Sequence, residues 1–357
     1  MSNDILIRGG TVWNGVDFSR CDILVKDGVI TKIENSIKEK AEIEIDARNM
    51  IVSSGLIDLH THIKDISPDS IGIEAKKISY PFGVTYLVDA SASQGSESVI
   101  SYTDRAISVL AEVKIINNKA DFSYAEEVMS AYKDKVIGLK VYFDTSFVDV
   151  WNTEPLKDIC KYAKDRNLFV MVHTTNSPVS MLEIVDTLNK GDIISHAFHG
   201  GENNCSDDDF ECLKKANEKG IYTDAALCAY YHIDYSVFRK AITYGEYPYI
   251  ISSDITKDLE LISGEKYGLT VCMSILQELG LDDLNVFKAV TVNPASVLKT
   301  KTNKGYLRVG DLADIAVFKY EDSNIKLKDR SNNKIELKKC LKCVLTVINN
   351  QVIYAEN

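Results

Sequence analysis

The chain has 357 residues, 45% hydrophobic and 26% charged, and 41 basic against 52 acidic side chains give a formal net charge of −11. That length allows about two domains and a core large enough to need no disulfides. The acidic balance argues against nucleic acid and against an anionic membrane surface as partners, because both attract basic proteins.

In chain order, the first 53 residues read as short strands. The opening Met-Ser-Asn-Asp-Ile-Leu-Ile-Arg has no basic region followed by a long apolar run, so no secretory signal is expected. Apolar-alternating runs at 4–7, 11–13, 22–26 and 29–33 are separated by Gly-Gly, Asn-Gly and Asp-Gly, and Asp27-Gly28 is a hairpin signal. Runs at 44–46 and 50–52 continue the pattern.

Residues 54–304 alternate strand and helix. Apolar runs at 56–62, 83–90, 113–117, 136–143, 169–173, 192–198, 221–227 and 249–254 make eight candidate strands. Stretches of helical period, such as 154–166, 179–188 and 207–219, lie between them. Eight βα units in about 250 residues predict an α/β fold, a (β/α)8 TIM barrel. An open doubly wound sheet would carry a Gly-rich phosphate loop after its first strand, and neither Gly9-Gly10 nor Gly200-Gly201 has that spacing. No run approaches the roughly 18 apolar residues that cross a bilayer.

Runs at 314–319 and 344–348 are again strand-like, and Asn349-Asn350 before 351–354 suggests a closing hairpin. With both ends all-β, segments 1–53 and 305–357 are expected to pair into one small composite β-sandwich domain beside the 54–304 barrel. The eight cysteines are scattered, several in apolar runs (Cys228, Cys272), as buried thiols of a reducing cytoplasm would be. Cys340 and Cys343 form a lone C-x-x-C without the second pair of a zinc ribbon, and two strand cysteines near one another by chance account for it.

In such a barrel the active site lies at the C-terminal ends of the strands. The first strand ends in Leu59-His60-Thr61-His62, and strand residues two apart share a side, so both imidazoles can face the barrel axis. The fourth strand holds Lys140, the fifth ends at His173, the sixth at His196 and the eighth at Asp254. Each alone has an ordinary structural reading: a hydrogen-bonded core histidine, a lysine paired with an acid, an aspartate capping a helix. Together they put four imidazoles, one carboxylate and one amine on five strands with one polarity. Imidazole and carboxylate suit a borderline divalent ion such as zinc. Six groups exceed the three protein ligands of a single catalytic tetrahedral site, so two divalent metal ions are the natural reading. Two neighbouring cations need an anionic bridge, which an amine does not supply and a CO2-derived carboxylation of Lys140 does. A hydroxide shared by the ions would be the nucleophile. Asp254 is the candidate catalytic residue that takes its proton and passes it to the leaving group.

Gly55-Leu-Ile-Asp-Leu-His-Thr-His62, Gly138-Leu-Lys140-Val, then His173, His196 and Asp254 in that order resemble the amidohydrolase superfamily. So does Asn293-Pro294-Ala295 followed by the run from Gly305 to Phe318, and the likeness covers essentially the whole chain. It implies a barrel with a composite β-sandwich, a binuclear centre and hydrolysis of amide or ester bonds. Asp192-Ile-Ile-Ser-His-Ala-Phe-His-Gly200, Asp89-Ala-Ser-Ala-Ser93 and Val172-His-Thr-Thr-Asn-Ser-Pro178 are similar to a deacetylase-like group of its dihydroorotase-like branch. By that resemblance His60, His62, Lys140 and Asp254 hold one ion, and Lys140, His173 and His196 the other.

Two departures fall where substrate should sit. Tyr142 stands two residues after Lys140, where that group tends to carry a basic residue, and Ala226-Leu227-Cys228 replaces a Gly-His-Gly, with His232 following only after Tyr230-Tyr231. Tyr142, His199 and His232 are the candidate substrate contacts: Tyr142 shares the inward side with Lys140, and His199 lies just past the sixth strand. No cluster of pocket arginines is apparent, since Arg105, Arg166 and Arg239 fall in helix-like stretches, and a strongly anionic substrate is not expected.

The reading is a cytoplasmic binuclear metal-dependent hydrolase that cleaves an amide C–N or acyl ester bond in a small polar molecule. The alternatives are a cyclic amidohydrolase of the dihydroorotase or hydantoinase kind and, more remotely, a non-catalytic hydantoinase-like scaffold, from which the filled set of ligand positions separates this chain. A deaminase, which mostly works with one ion, fits less well. The architecture permits a homo-oligomer without requiring one.

Overall fold

A computed structural model describes residues 4–63, 70–92, 106–229, 231–298 and 304–355. The sequence readings at Ser93, Arg105 and Tyr230 lie outside the described residues. Two large sheets organise the chain.

The first sheet joins both termini. It contains β1 (Ile5–Trp13), β2 (Phe18–Lys26), β3 (Val29–Glu34), β4 (Ile43–Asp46), β5 (Ile51–Ser54), β17 (Ile315–Lys328), β18 (Lys334–Ile348) and β19 (Gln351–Tyr354). The order is β19-β18-β17-β5-β1-β2-β3, with β4 also pairing β1. The β2–β3 turn uses Asp27 at φ 50 and Gly28 at φ 75, and the β18–β19 turn uses Asn349 and Asn350 at φ 49 and 60. Both pairs have the left-handed backbone that two-residue hairpins need. Alternate residues of these strands (Ile5, Ile7, Ile23, Val25, Val317, Leu345) enclose an apolar core. Cys340 and Cys343 lie in β18, and all eight cysteines are free and buried.

The expected runs 314–319 and 344–348 extend much further than their apolar stretches. β17 and β18 are 14 and 15 residues long and pair antiparallel almost throughout. Their outer half is charged, but Ile325, Leu327, Ile335 and Leu337 keep a period of two and are buried.

The second sheet is parallel and curled. Its members are β6 (Leu56–Thr61), β7 (Val84–Ala92), β8 (Ala106–Glu112), β11 (Val136–Tyr142), β12 (Phe169–His173), β13 (Ile193–Ser195) and β14 (Tyr222–Asp224), in spatial order β14-β13-β12-β11-β8-β7-β6. Ile57, Leu59, Val88, Leu110, Met171, Ile193 and Ile250 fill its interior. Strands buried on both faces read as continuous apolar runs, which is why most were legible.

The third expected strand is corrected. Residues 113–117 belong to an excursion, β9 (Lys114–Ile116) hairpinned to β10 (Lys119–Asp121) through Asn117 and Asn118 at φ 51 and 60. The sheet strand is β8, whose Ala and Ser residues dilute its apolar signal. A second difference concerns 249–254, which forms no regular strand. Ile250 bridges Asp224, the Asp254 N–H bonds the His60 carbonyl at 2.8 Å, and the Ser253 N–H bonds the Asp58 carboxylate at 3.0 Å. The segment thus lies between β14 and β6 and keeps backbone bonds to both sides, but toward β6 the Asp58 carboxylate takes a ladder partner's place and Asp254 is left-handed at φ 48. A short hairpin, β15 (Leu261–Ile262) with β16 (Glu265–Lys266), follows.

Helices Glu154–Asp165, Met181–Thr187 and Glu211–Lys219 occupy the expected helical stretches, the second opening with a Ser180/Glu183 capping box. Among the described residues no helix is long and apolar enough to cross a membrane.

Candidate metal centre

The C-terminal ends of the parallel strands converge on one point. β6 delivers His60 and, one residue past its end, His62; β11 delivers Lys140; β12 ends on His173. β13 stops at Ser195 because His196 turns left-handed at φ 62, which swings its ring back over the sheet. All of these side chains and Asp254 are buried.

The outward nitrogens of the His60, His173, His196 and His232 rings are each held by a protein group, which decides what the inward nitrogen presents. His196 Nδ1 donates to the Ala226 carbonyl at 2.8 Å, so Nε2 carries a lone pair; that buried Nε2 has no hydrogen-bond partner among the described residues. His60 Nδ1 is 2.9 Å from Ser195 Oγ, leaving Nε2 at 3.0 Å from Lys140 Nζ and 3.1 Å from Asp254 Oδ1. His62 Nε2 is 2.9 Å from Asp254 Oδ1. His173 Nε2 meets Asp144 Oδ2 at 3.2 Å. His232 Nδ1 is 2.8 Å from Thr175 Oγ1, and its Nε2 is turned toward Asp254 Oδ2 at 3.9 Å.

Among the described residues three overlapping sets of donor atoms result, His60–His62–Asp254, His173–His196–His232 and Cys228–His232–Asp254, the atoms of each within 4.8 Å of one another; the first two share no residue. Pinned outer nitrogens with converging inner ones are the arrangement by which neighbouring groups orient metal-binding imidazoles. The orphaned His196 Nε2 is a buried polar atom that a cation would satisfy, so the residues fit a divalent ion.

The electrostatics agree. Burial pushes His60, His173 and His196 below the ordinary histidine value and His232 down to about 3, which keeps the rings neutral and able to donate lone pairs. Burial brings Lys140 down to about 8 against the opposing pull of Asp254, Asp224 and Glu112, so a fraction of the amine is uncharged near neutrality. Burial resists ionisation of Asp254, but its polar contact with the His60 ring and its hydrogen bond with His62 outweigh it and hold the carboxyl well below the usual carboxylate range.

A cavity of about 330 Å3 opens over these groups, its wall including Tyr142, Asp144, Phe147, Tyr231, His232 and Arg330. The Tyr142 ring lies 5.5 Å from that of His173. His199 is fully buried: its Nδ1 accepts from the Gly201 N–H at 3.0 Å, its Nε2 has no hydrogen-bond partner among the described residues, and burial takes it down to about 3. Arg166 follows the helix Glu154–Asp165, and Arg239 lies within the helix Tyr235–Thr243.

Several site residues escaped the sequence reading. Asp144 positions His173 and accepts the N–H groups of Ser146 and Asn176; its signal was available, since Lys140, Tyr142 and Asp144 share a period of two. Asp58 and Asp224 lie beneath the site, raised by burial to about 7 and about 8 and bonded to Ser253 and Ser252. Arg330 reaches the cavity from the β17–β18 hairpin and has no local signal at all.

Comparison with known proteins follows the same lines. A family model described as the amidohydrolase family matches residues 51–350. A deacetylase of Brucella anthropi is 29% identical over 94% of this chain and 88% of its own, and a deacetylase of Enterococcus faecalis is 26% identical over 99% of both. Among solved structures, that of a dihydroorotase superposes with a TM-score of 0.84 at 26% identity, covering 99% of each chain.

Proposed function

The chain belongs to the amidohydrolase family and is a hydrolase acting on C–N bonds, and from that premise we propose that it removes an acyl group from a small polar molecule at a centre of two divalent ions. The observation that carries this reading is the convergence of imidazole nitrogens and Asp254 around Lys140, with the outer ring nitrogens pinned. His60, His62 and Asp254 would hold one ion, His173 and His196 the other, with carboxylated Lys140 between them. Zinc suits that donor set. His232 is close enough to His173 and His196 to join the second set. Bound there, the ions would polarise the scissile carbonyl and acidify the attacking water.

The chain's own groups supply the remaining steps. The ionised Asp254 carboxylate accepts a proton from the water and returns it to the leaving nitrogen. Asp144, Ser195 and the Ala226 carbonyl fix the rings of His173, His60 and His196, so the inward nitrogens stay directed at one point. The uncharged fraction of Lys140 is the form that adds CO2. Tyr142 lines the cavity and offers a phenol to a substrate oxygen. We read the curled sheet as a (β/α)8 barrel over 54–304 with an irregular eighth strand, and the terminal segments 1–53 and 305–357 as its β-sandwich partner.

The likeness to a dihydroorotase structure favours, as a second reading, opening of a cyclic amide. One experiment separates the two. Protein stripped with chelator is reloaded with zinc, with and without bicarbonate, and offered N-acyl amino acids, acyl hydroxy-acids, dihydropyrimidines and hydantoins. Metal- and bicarbonate-dependent turnover of the open-chain compounds is expected. Turnover of the rings alone would favour the second reading, and hydrolysis indifferent to chelation would contradict both.

A further inference from the structure

The long β17–β18 hairpin leaves the terminal sheet and is fastened at its tip to the mouth of the parallel one. The buried Asp329 carboxylate accepts the N–H groups of Tyr235 at 2.7 Å and Asn333 at 2.8 Å. The Arg330 N–H bonds the Ile233 carbonyl, and the Ser331 hydroxyl donates to Asp234. Further down, the Leu341 N–H bonds Ser274 Oγ at 2.9 Å. The tip is therefore a built contact, and it directs the Arg330 side chain into the cavity wall.

There, among the described residues, the guanidinium donates one hydrogen bond, to Asn176 Oδ1 at 2.6 Å. Asn176 N–H bonds Asp144 Oδ2 at 3.1 Å, and the same oxygen meets His173 Nε2 at 3.2 Å. Arg330 is thus two side chains removed from the imidazole cluster. Among the described residues no carboxylate lies within 4.0 Å of it, in a chain with 52 acidic side chains. A planar guanidinium with unused N–H donors at a cavity mouth matches the two oxygens of a carboxylate. On the same rim Phe147 and Tyr231 are 63% and 49% exposed, an apolar surface beside the charge.

We propose that Arg330 forms an anion subsite that takes the carboxylate of the substrate, which is then an acyl compound bearing a carboxylate and an apolar side group. The acyl part rests on the function proposed above; the anion subsite does not. The expectation against an anionic substrate is revised accordingly: one arginine lent by the terminal sheet serves one carboxylate without a cluster.

The test uses two matched pairs of compounds with the intact metal-loaded protein, Arg330→Met and Arg330→Lys. For turnover the pair is N-acetylphenylalanine and its carboxamide, in both enantiomers. For binding, read by calorimetry, it is 3-phenylpropanoate and 3-phenylpropanamide, which carry no acetyl group to lose. In Arg330→Met, kcat/KM for the carboxylate should fall about ten- to hundredfold, mainly through KM, with the carboxamide unchanged. Affinity for 3-phenylpropanoate should fall by a similar factor, and Arg330→Lys should keep part of both. If neither acetyl compound is hydrolysed, the deacylase reading fails while the binding pair still decides the subsite. An unaltered preference for carboxylate over carboxamide in Arg330→Met, or no such preference in the unmodified protein, would overturn the proposal.

Discussion

Inside the curled parallel sheet, Ile57, Leu59, Val88, Leu110, Met171 and Ile193 form an apolar cluster; nearer the C-terminal ends, β6, β11, β12 and β13 carry His60, Lys140, His173 and Ser195. Both regions are buried, yet their burial has opposite sign. Apolar burial stabilises by roughly 25 cal/mol per Å2. Burying imidazoles, an amine and carboxylates costs free energy unless each finds a partner. The backbone records the difference at the upper end, where His196 and Asp254 are non-glycine residues at φ 62 and 48. Such positions cost on the order of 1–3 kcal/mol and persist where the surroundings impose them. The lower region is built for stability, and the upper one spends part of that stability on chemistry.

Substitutions should separate the two. Asp254→Asn is expected to lower kcat by about 10²–10⁴-fold. Steady-state kinetics on metal-loaded protein would measure this, and a change below tenfold would remove Asp254 from proton transfer. Ile193→Ala, in the apolar half, should destabilise by about 2–5 kcal/mol in urea unfolding. Metal bound per folded molecule should stay unchanged, and a loss of metal would mean that the two regions are not separable.

The third expectation concerns pH. Burial holds His199 at about 3 in the folded protein, below its ordinary value of 6.5, so its folded form is neutral. Between those values the unfolded chain binds a proton that the folded chain does not. The stability it contributes is therefore present above pH 6.5 and lost as pH falls toward 3, by about 2 kcal/mol at pH 5. His199→Gln should flatten the decline of the urea midpoint between pH 7 and pH 5; an unchanged slope would show that His199 titrates normally.

The convergence of the candidate residues was readable because His60, His62, His173, His196 and Asp254 end apolar runs and Lys140 lies within one, so that strand period and polarity bring the six side chains together. β8 was misplaced because Ala106, Ser108 and Ala111 dilute its apolar signal while Lys114–Ile116 imitates a strand. His232 reaches the His173–His196 pair through a loop whose turns at Ala226, Cys228 and Ala229 are left-handed without glycine, which no local pattern announces. Arg330 was out of reach for a different reason. Its position depends on Asp329 docking to Tyr235, a contact between residues 94 apart in sequence.

The central claim is a pair of ions joined through Lys140. Anomalous diffraction at the zinc edge, from crystals grown with zinc and bicarbonate, tests it most directly. The account predicts two peaks, one among His60, His62 and Asp254 and one beside His173 and His196, with carboxylate density on Lys140 Nζ between them. Featureless maps at both positions, with a plain amine at Lys140, would contradict it.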